Sequence, residues 1–287
     1  MNPKTRKALG YGLFAALFLI GITIAAYFDL SLSSALAGLS EKDGKLSLHV
    51  PVIASILEII GEWPALLISA AALFIAASVL AENHKKKASL FYISAVGIAS
   101  CLLLYGSIQT ANYLAGSISG WILVLLAFLC VMLSGGSLLL VLRIPPQARR
   151  SWFLPAVYTL AAAILILLSV STLKVIWGRI RLRELVAAGT LEGFTPWYQP
   201  NFFSSSRSFP SGHTAHSTLT LMLTIWLPDE KKRGRTVLVF IFAAFIAAMG
   251  VSRLAAGAHY LSDVLFGFAI AFIITEWMKS RYHKRAG

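Results

Sequence analysis

Long apolar segments alternate with short polar ones along the whole chain. Eight segments are apolar over roughly the 20 residues with which a helix crosses a hydrocarbon layer of about 30 Å. These segments are 8–27, 62–81, 89–111, 121–142, 153–176, 213–227, 236–256 and 261–278. The pattern predicts an all-α, polytopic membrane helix bundle of about eight transmembrane helices, with residues 1–287 forming a single integral membrane domain.

The basic residues of the polar segments predict how these helices are oriented. Most Lys and Arg fall in "MNPKTRK", "ENHKKK", "RIPPQARR", "DEKKRGR" and "KSRYHKRAG", which alternate with less basic connections. The positive-inside rule therefore places both termini in the cytoplasm and the chain in the cell membrane. Segment 8–27 also resembles a signal peptide, because "SSALAG" follows it. Its apolar core is too long for one, so we expect it to remain as a helix.

Composition agrees with this picture and narrows the function. The chain is 57% hydrophobic and 13% charged, whereas soluble domains carry about 25% charged residues. Its net charge of +13 follows from the membrane orientation, so we expect the lipid bilayer as partner and no nucleic acid. Both cysteines lie in apolar segments and predict neither a disulfide nor a metal site. Nothing in the sequence indicates an obligate protein partner.

A smaller set of cations departs from the orientation rule. In this topology they lie at the outer face, in or beside the long connection 177–212 or near residue 253, and are Lys174, Arg179, Arg181, Arg183, Arg207 and Arg253. Cations placed against the bias indicate an anionic ligand. Arg179, Arg183 and Arg207 fit either headgroup binding or ordinary snorkelling and solvation. We expect the acidic residues Glu58 and Glu62 to be solvated at the membrane surface.

Three polar stretches at this face combine groups that suit a phosphate. Lys174 and Arg181 lie in "LKVIWGRIRL", and Arg253 lies in "VSRLAAGAHYLSD". Arginine binds phosphate through a two-pronged fork, and lysine binds it as a point charge. Ser211 and Gly212, in the "PSGH" that precedes an apolar segment, offer a hydroxyl donor and a close backbone approach. The sequence therefore predicts a phosphate-binding site.

The same stretches contain histidines suited to phosphoryl transfer. His259 and Asp263 are spaced i, i+4, so on a helix they would share a face and the carboxylate would orient the imidazole for attack. His213 is then the candidate general acid. His216 fits a polar residue at a helix start better than a ligand. With one carboxylate in the constellation, we expect no metal and no cofactor.

These residues resemble the type 2 phosphatidic acid phosphatase (PAP2) family, which shares its fold with vanadium haloperoxidases. The family motifs are Lys-x6-Arg-Pro, Pro-Ser-Gly-His and Ser-Arg-x5-His-x3-Asp. They match Lys174 to Arg181, residues 210–213 and residues 252–263, all within 170–267. The chain departs from the first motif at Leu182, which stands where the family has a proline directly after Arg181. The resemblance implies a core of six helices.

The resemblance also assigns roles to the residues. It implies that His259 is the nucleophile that forms a phosphohistidine, that Asp263 orients it and that His213 is the acid. It implies that the phosphate is bound by Lys174, Arg181, Ser211, Gly212 and Arg253.

The expected function is an integral membrane phosphatase for a lipid phosphate or pyrophosphate. Undecaprenyl pyrophosphate, phosphatidylglycerophosphate and phosphatidic acid represent the expected substrate class, with the site at the outer face. One alternative is phosphoryl transfer to another acceptor at the same site. Another is a non-enzymatic lipid-binding or transport protein. A vanadate haloperoxidase fits least, because eight apolar spans suit a lipid substrate.

Overall fold

The computed structural model describes residues 2–116, 118–202, 204–228 and 230–286. The long helices are α1 (Pro3–Leu36), α3 (Trp63–Asn83), α4 (Ala88–Ala115), α5 (Gly120–Arg143), α6 (Pro146–Trp177), α9 (Lys232–Ala255) and α10 (Leu261–Ala286). The short helices are α2 (Val52–Ile60), α7 (Leu182–Ala187) and α8 (Gly212–Thr218), and 3₁₀ helices cover Lys85–Lys87 and Leu219–Ile225. The described part of the chain is thus all-α apart from one small hairpin.

Within the described residues, seven helical segments are long and apolar enough to cross a membrane. They are Ala8–Leu36, Val52–Asn83, Lys85–Ala115, Gly120–Arg143, Pro146–Ala187, Lys232–Ala255 and Leu261–Ala286. Large apolar side chains on these helices are exposed, such as Leu17 (59%) and Phe128 (60%). Water would penalise such surfaces and lipid does not, so the chain is a multi-pass membrane protein.

The predicted span 213–227 differs from the other seven, which brings the number of candidate spans below the predicted eight. The segment consists of α8 followed by the 3₁₀ helix Leu219–Ile225. Thr220 Oγ1 donates to the Ser217 carbonyl (2.6 Å), and Thr224 Oγ1 donates to the Leu221 carbonyl (2.7 Å). Hydroxyls that bond to carbonyls one turn back compete with the α-helical ladder and favour tighter 3₁₀ geometry.

A two-stranded antiparallel hairpin follows α1 and was not predicted. Strand β1 (Ser40–Lys42) pairs with β2 (Lys45–Ser47), with Ser40 opposite Ser47. The connecting residues Asp43 (φ 51°) and Gly44 (φ 71°) both have positive φ. Asp-Gly is the preferred pair for a type I′ turn, so the sequence carried this signal.

The chain divides into two compact units. The first consists of Met1–Glu58, Leu168–Ala215 and Ala247–Ala271, and the second of Ile59–Leu167, His216–Ile246 and Phe272–Gly287. In the second unit, α3 and α4 meet through small buried residues such as Ala77 and Ala99, which let two helices approach closely without a hydrophobic driving force. In the same unit, Glu62 is only 16% exposed and its carboxylate lies 3.7 Å from His216 Nδ1, so the expectation that it is solvated is wrong.

Candidate active site

The predicted site residues all belong to the first unit. Lys174 is in the last turn of α6, and Arg181 immediately precedes α7. Ser211 immediately precedes α8, and Gly212 and His213 open it. Arg253 is in the last turn of α9, His259 lies between α9 and α10, and Asp263 is in the first turn of α10. The fold therefore brings together in one unit the motifs that the sequence separates.

Ser211 and Gly212 lie where the end of α6 meets the starts of α8 and α10. We name residues 210–213 the cradle. The Ser211 amide donates to the Asp263 carbonyl (2.8 Å), and its hydroxyl shares a hydrogen bond with Thr214 (3.0 Å). A Cβ at Gly212 would lie 3.3 Å from Lys174 Nζ. The absence of a side chain at Gly212 therefore lets the lysine ammonium lie directly against the cradle backbone.

Asp263 is fixed by hydrogen bonds on both of its oxygens. Oδ1 accepts from Arg179 Nη1 (2.7 Å), and Oδ2 accepts from Ser208 Oγ (2.5 Å) and the Tyr260 amide (3.0 Å). His259 Nδ1 lies 3.6 Å from Oδ2, which is longer than a hydrogen bond. The two residues face each other although His259 precedes α10, so helical i, i+4 spacing is not what pairs them.

His259 is 3% exposed, and its burial has an electrostatic consequence. Removal from water lowers the pKa of His259 to about 3, because burial disfavours the imidazolium. The Asp263 carboxylate acts in the opposite direction, and the positive charges of Lys174 and Arg181 lower the pKa further. The ring is therefore neutral at physiological pH and retains a lone pair.

Helix α2 contributes acceptors to Arg253 and His213. Arg253 Nη2 donates to the Ala54 carbonyl (3.1 Å), and its Nη1 lies 3.5 Å from Glu58 Oε1. His213 Nε2 lies 3.2 Å from the Glu58 carbonyl, and because a carbonyl only accepts, Nε2 carries a proton. Arg183 Nη1 also donates to Glu58 Oε1 (3.0 Å). The Glu58 side chain is only 13% exposed, so the expectation that it is solvated at the membrane surface is wrong.

Arg181 is more exposed than Arg253, with 26% of its side chain accessible. Its amide donates to Glu184 Oε2 (3.1 Å), and its Nη1 lies 3.5 Å from Glu184 Oε1. Leu182, which replaces the motif proline, is fully buried and opens α7. Proline is favoured at the first position of a helix. In this chain α7 begins at the same position with leucine, so the helix start that follows the arginine is retained.

Arg179 has a role that the sequence did not indicate. It is fully buried, and it forms ion pairs with Asp263 (2.7 Å) and with Asp29 of α1 (2.8 Å). Neither headgroup binding nor solvation, the two expected roles, describes it. Asp29 lies within the apolar helix Ala8–Leu36, where an acidic residue usually has a buried partner. The predicted segment ended at residue 27 and therefore missed this signal.

The charges of the site suit an anion. Lys174 lies beside Gly212 of the cradle, Lys174 and Arg181 are close enough to act on His259, and Arg253 lies beside Glu58. In the described ranges, no group of three or more His, Cys, Asp or Glu is placed to hold a metal ion.

Comparison with known proteins gives a consistent result. The PAP2 superfamily matches residues 152–286, which include every predicted site residue. Phosphatidylglycerophosphatase B of Bacillus subtilis (strain 168) is 32% identical over 105 residues, which are 34% of this chain and 51% of that protein. The chain thus matches about half the length of this relative. No solved structure matches the chain. These comparisons support, over residues 152–286, the resemblance to the PAP2 family that the sequence motifs carry.

Proposed function

We propose that this protein is an integral membrane phosphatase that hydrolyses a lipid phosphate or pyrophosphate through a phosphohistidine on His259, without a metal ion. The observation that carries the proposal is the contact between motifs within one unit. Lys174 Nζ lies against Gly212, and the Ser211 amide donates to the Asp263 carbonyl. A phosphate at the cradle would thus lie near the Lys174 ammonium and near the helix start that carries Asp263.

In the first step, a nitrogen lone pair of His259 attacks phosphorus while the bond from phosphorus to the leaving oxygen breaks. Asp263 faces Nδ1, so Nε2 is the attacking atom. His213, acting as an imidazolium, gives one proton to the leaving oxygen, which departs as an alcohol or as a lipid phosphate, and His213 becomes neutral. Lys174, Arg181 and Arg253 stabilise the charge on the equatorial oxygens of the phosphoryl group.

In the second step, water attacks the phosphohistidine. His213, now neutral, accepts a proton from this water, and the phosphorus–nitrogen bond breaks to release inorganic phosphate. The lone pair returns to His259, whose low pKa keeps the ring neutral for the next cycle. The two steps balance without an oxidant, a reductant or a metal.

The substrate class follows from the membrane setting and from the relative. Exposed apolar helices keep the protein in the bilayer, where a lipid-linked phosphate is the available substrate. The matched relative is named phosphatidylglycerophosphatase B, which supports phosphatidylglycerophosphate as a candidate substrate beside phosphatidic acid and undecaprenyl pyrophosphate. We place both termini in the cytoplasm and the site at the outer face.

Phosphate release from a panel of these lipids tests the proposal, with purified protein in detergent, with EDTA and with no added acceptor. We expect release with the wild type, none with His259→Ala, and full release with His84→Ala, which removes an exposed histidine. Loss of activity in EDTA would contradict a metal-free reaction. Release only after an alcohol acceptor is added would indicate phosphotransfer, and full activity in His259→Ala would overturn the proposal.

A further inference from the structure

Helix α1 carries a buried carboxylate that the proposed reaction does not use. Asp29 is 3% exposed and accepts hydrogen bonds on both oxygens. Oδ1 accepts from the Ser262 amide (2.9 Å), and Oδ2 accepts from Arg179 Nη2 (2.8 Å) and from the Ser262 hydroxyl. A carboxylate placed within an apolar segment is costly unless it is paired, so these contacts explain why this one is tolerated.

Arg179 links this carboxylate to the one that faces His259. Its Nη1 donates to Asp263 Oδ1 (2.7 Å) and Ser262 Oγ (2.7 Å), and its Nε donates to the Thr195 carbonyl (2.8 Å). The guanidinium carbon also lies 4.1 Å from the centre of the Tyr260 ring. Each guanidinium nitrogen thus has a protein partner, and the fully buried side chain is held on all sides.

Asp29 also acts on the start of α10. The first amides of a helix lack intrahelical acceptors, and Ser262 is the second residue of α10. Asp29 accepts that amide from outside the helix, while Asp263 at the third position reaches back to the Tyr260 amide (3.0 Å). Asp29 therefore fixes both the guanidinium that binds Asp263 and the helical turn that carries Asp263.

We infer that Asp29 is a positioning residue for the reaction, one that holds Asp263 toward His259 through Arg179 and Ser262. The inference rests on the proposed function and adds to it a residue outside the family match, which begins at residue 152. The chemistry at His259 therefore depends on the first membrane helix, through Arg179 and Ser262.

Asp29→Asn tests this, because the amide keeps the size of the side chain and removes its charge. Thr23→Val is the matched control, since Thr23 is an exposed polar residue of the same helix that bonds only to its own turn. In the comparable case of a partner that orients a metal ligand, its loss typically costs 10- to 100-fold. We therefore expect kcat per folded molecule to fall roughly 10- to 100-fold in Asp29→Asn, with KM within about twofold. Thr23→Val should match the wild type.

A double-mutant cycle separates positioning from general stability. In an Asp263→Asn background, Asp29→Asn should lower kcat by less than about twofold further, because its effect passes through Asp263. If the two losses multiply instead, or if folded Asp29→Asn retains the wild-type kcat, the inference is wrong while the phosphatase proposal stands. A wild type that releases no phosphate from any lipid would refute the proposed function itself.

A second variant covers the case in which Asp29→Asn does not fold. Ser262→Ala removes one hydroxyl that contacts both Asp29 and Arg179, and it leaves their ion pair intact. We expect kcat to fall roughly 3- to 10-fold with KM unchanged, since only part of the support is lost. An unchanged kcat in folded Ser262→Ala would overturn the inference.

Discussion

Gly267→Ala should disable the site, because a side chain at residue 267 would push the backbone of the cradle away from α10. Gly267 lies in α10, one turn beyond Asp263, where the cradle backbone crosses the helix. A Cβ added at Gly267 would lie 2.4 Å from the Ser211 carbonyl oxygen and 3.3 Å from the Ser211 nitrogen. These neighbours are backbone atoms, which cannot move aside as the end of a flexible side chain can.

The size of the effect follows from the overlap. Ordinary contact begins at 3.4 Å, so Ser211 and the helix must separate by about 1 Å. Overpacking of this kind costs about 1–3 kcal/mol of stability. For catalysis, a misplacement of about 1 Å can cost roughly 100-fold. We therefore expect kcat to fall about 100-fold, and the thermal midpoint in detergent to fall by roughly 2–10 °C.

The assay is phosphate release per folded molecule, measured together with the melting midpoint. Gly97→Ala is the control, because Gly97 is also a helical glycine and a Cβ there meets nothing within 4 Å. It should leave kcat unchanged and the midpoint equal or slightly higher, since alanine favours the helix by about 0.5–1 kcal/mol. If Gly267→Ala keeps kcat within twofold and melts like the wild type, the close approach is not what positions the cradle.

Three further outcomes follow from the site and the topology. The pKa of His259 is lowered to about 3 in the folded protein. Between about pH 6.5 and 3, the His259 imidazole is therefore protonated only in the unfolded chain, and the free energy of unfolding falls as the pH falls. The wild type should lose up to about 1.4 kcal/mol per pH unit more than His259→Gln in that window, and equal slopes in acid unfolding titrations would contradict the shift. Glu58→Gln should lower KM, and the phosphate concentration that inhibits the enzyme, roughly 3- to 10-fold, because a carboxylate no longer competes with the phosphate for Arg253. Unchanged values of both in the release assay would refute this. With the two native cysteines replaced, Asn2→Cys and Ala286→Cys should both resist an impermeant maleimide in intact cells, because we place both termini in the cytoplasm. Labelling of one terminus alone would mean that an odd number of segments crosses the membrane.

The last of these outcomes bears on the segment that departs from the predicted spans. Seven α-helical and seven 3₁₀ residues extend roughly 25 Å, somewhat short of a hydrocarbon layer of about 30 Å. Most of its side chains are buried by protein, including Met222 and Ile225, so it does not need the apolar length that lipid contact demands. Termini on one face would mean that an even number of segments crosses the membrane, as expected if this short segment completes an eighth crossing.

Much of this protein could be predicted from local sequence features. The lengths of the apolar runs are set by the thickness of a bilayer, so seven segments expected to be spans are long apolar helices in the structure. The motif residues combine cations, glycine and histidine at short spacings, and their chemistry suits a phosphate before any fold is known. The Asp43–Gly44 turn was equally visible, because its backbone preference is local.

Tertiary structure alone decided which buried charges pair and which residues support the site. Arg179 lies 150 positions from Asp29 and 84 from Asp263, and no local period relates residues so far apart. The sequence predicts a solvated surface acid at Glu58, whereas α2 places its carboxylate beside Arg253. Periodicity and turn chemistry depend on neighbours within a few residues, whereas the partner of a buried charge depends on which helices meet. The sequence therefore determined the membrane helices and the reactive groups, and the fold determined how those groups are held.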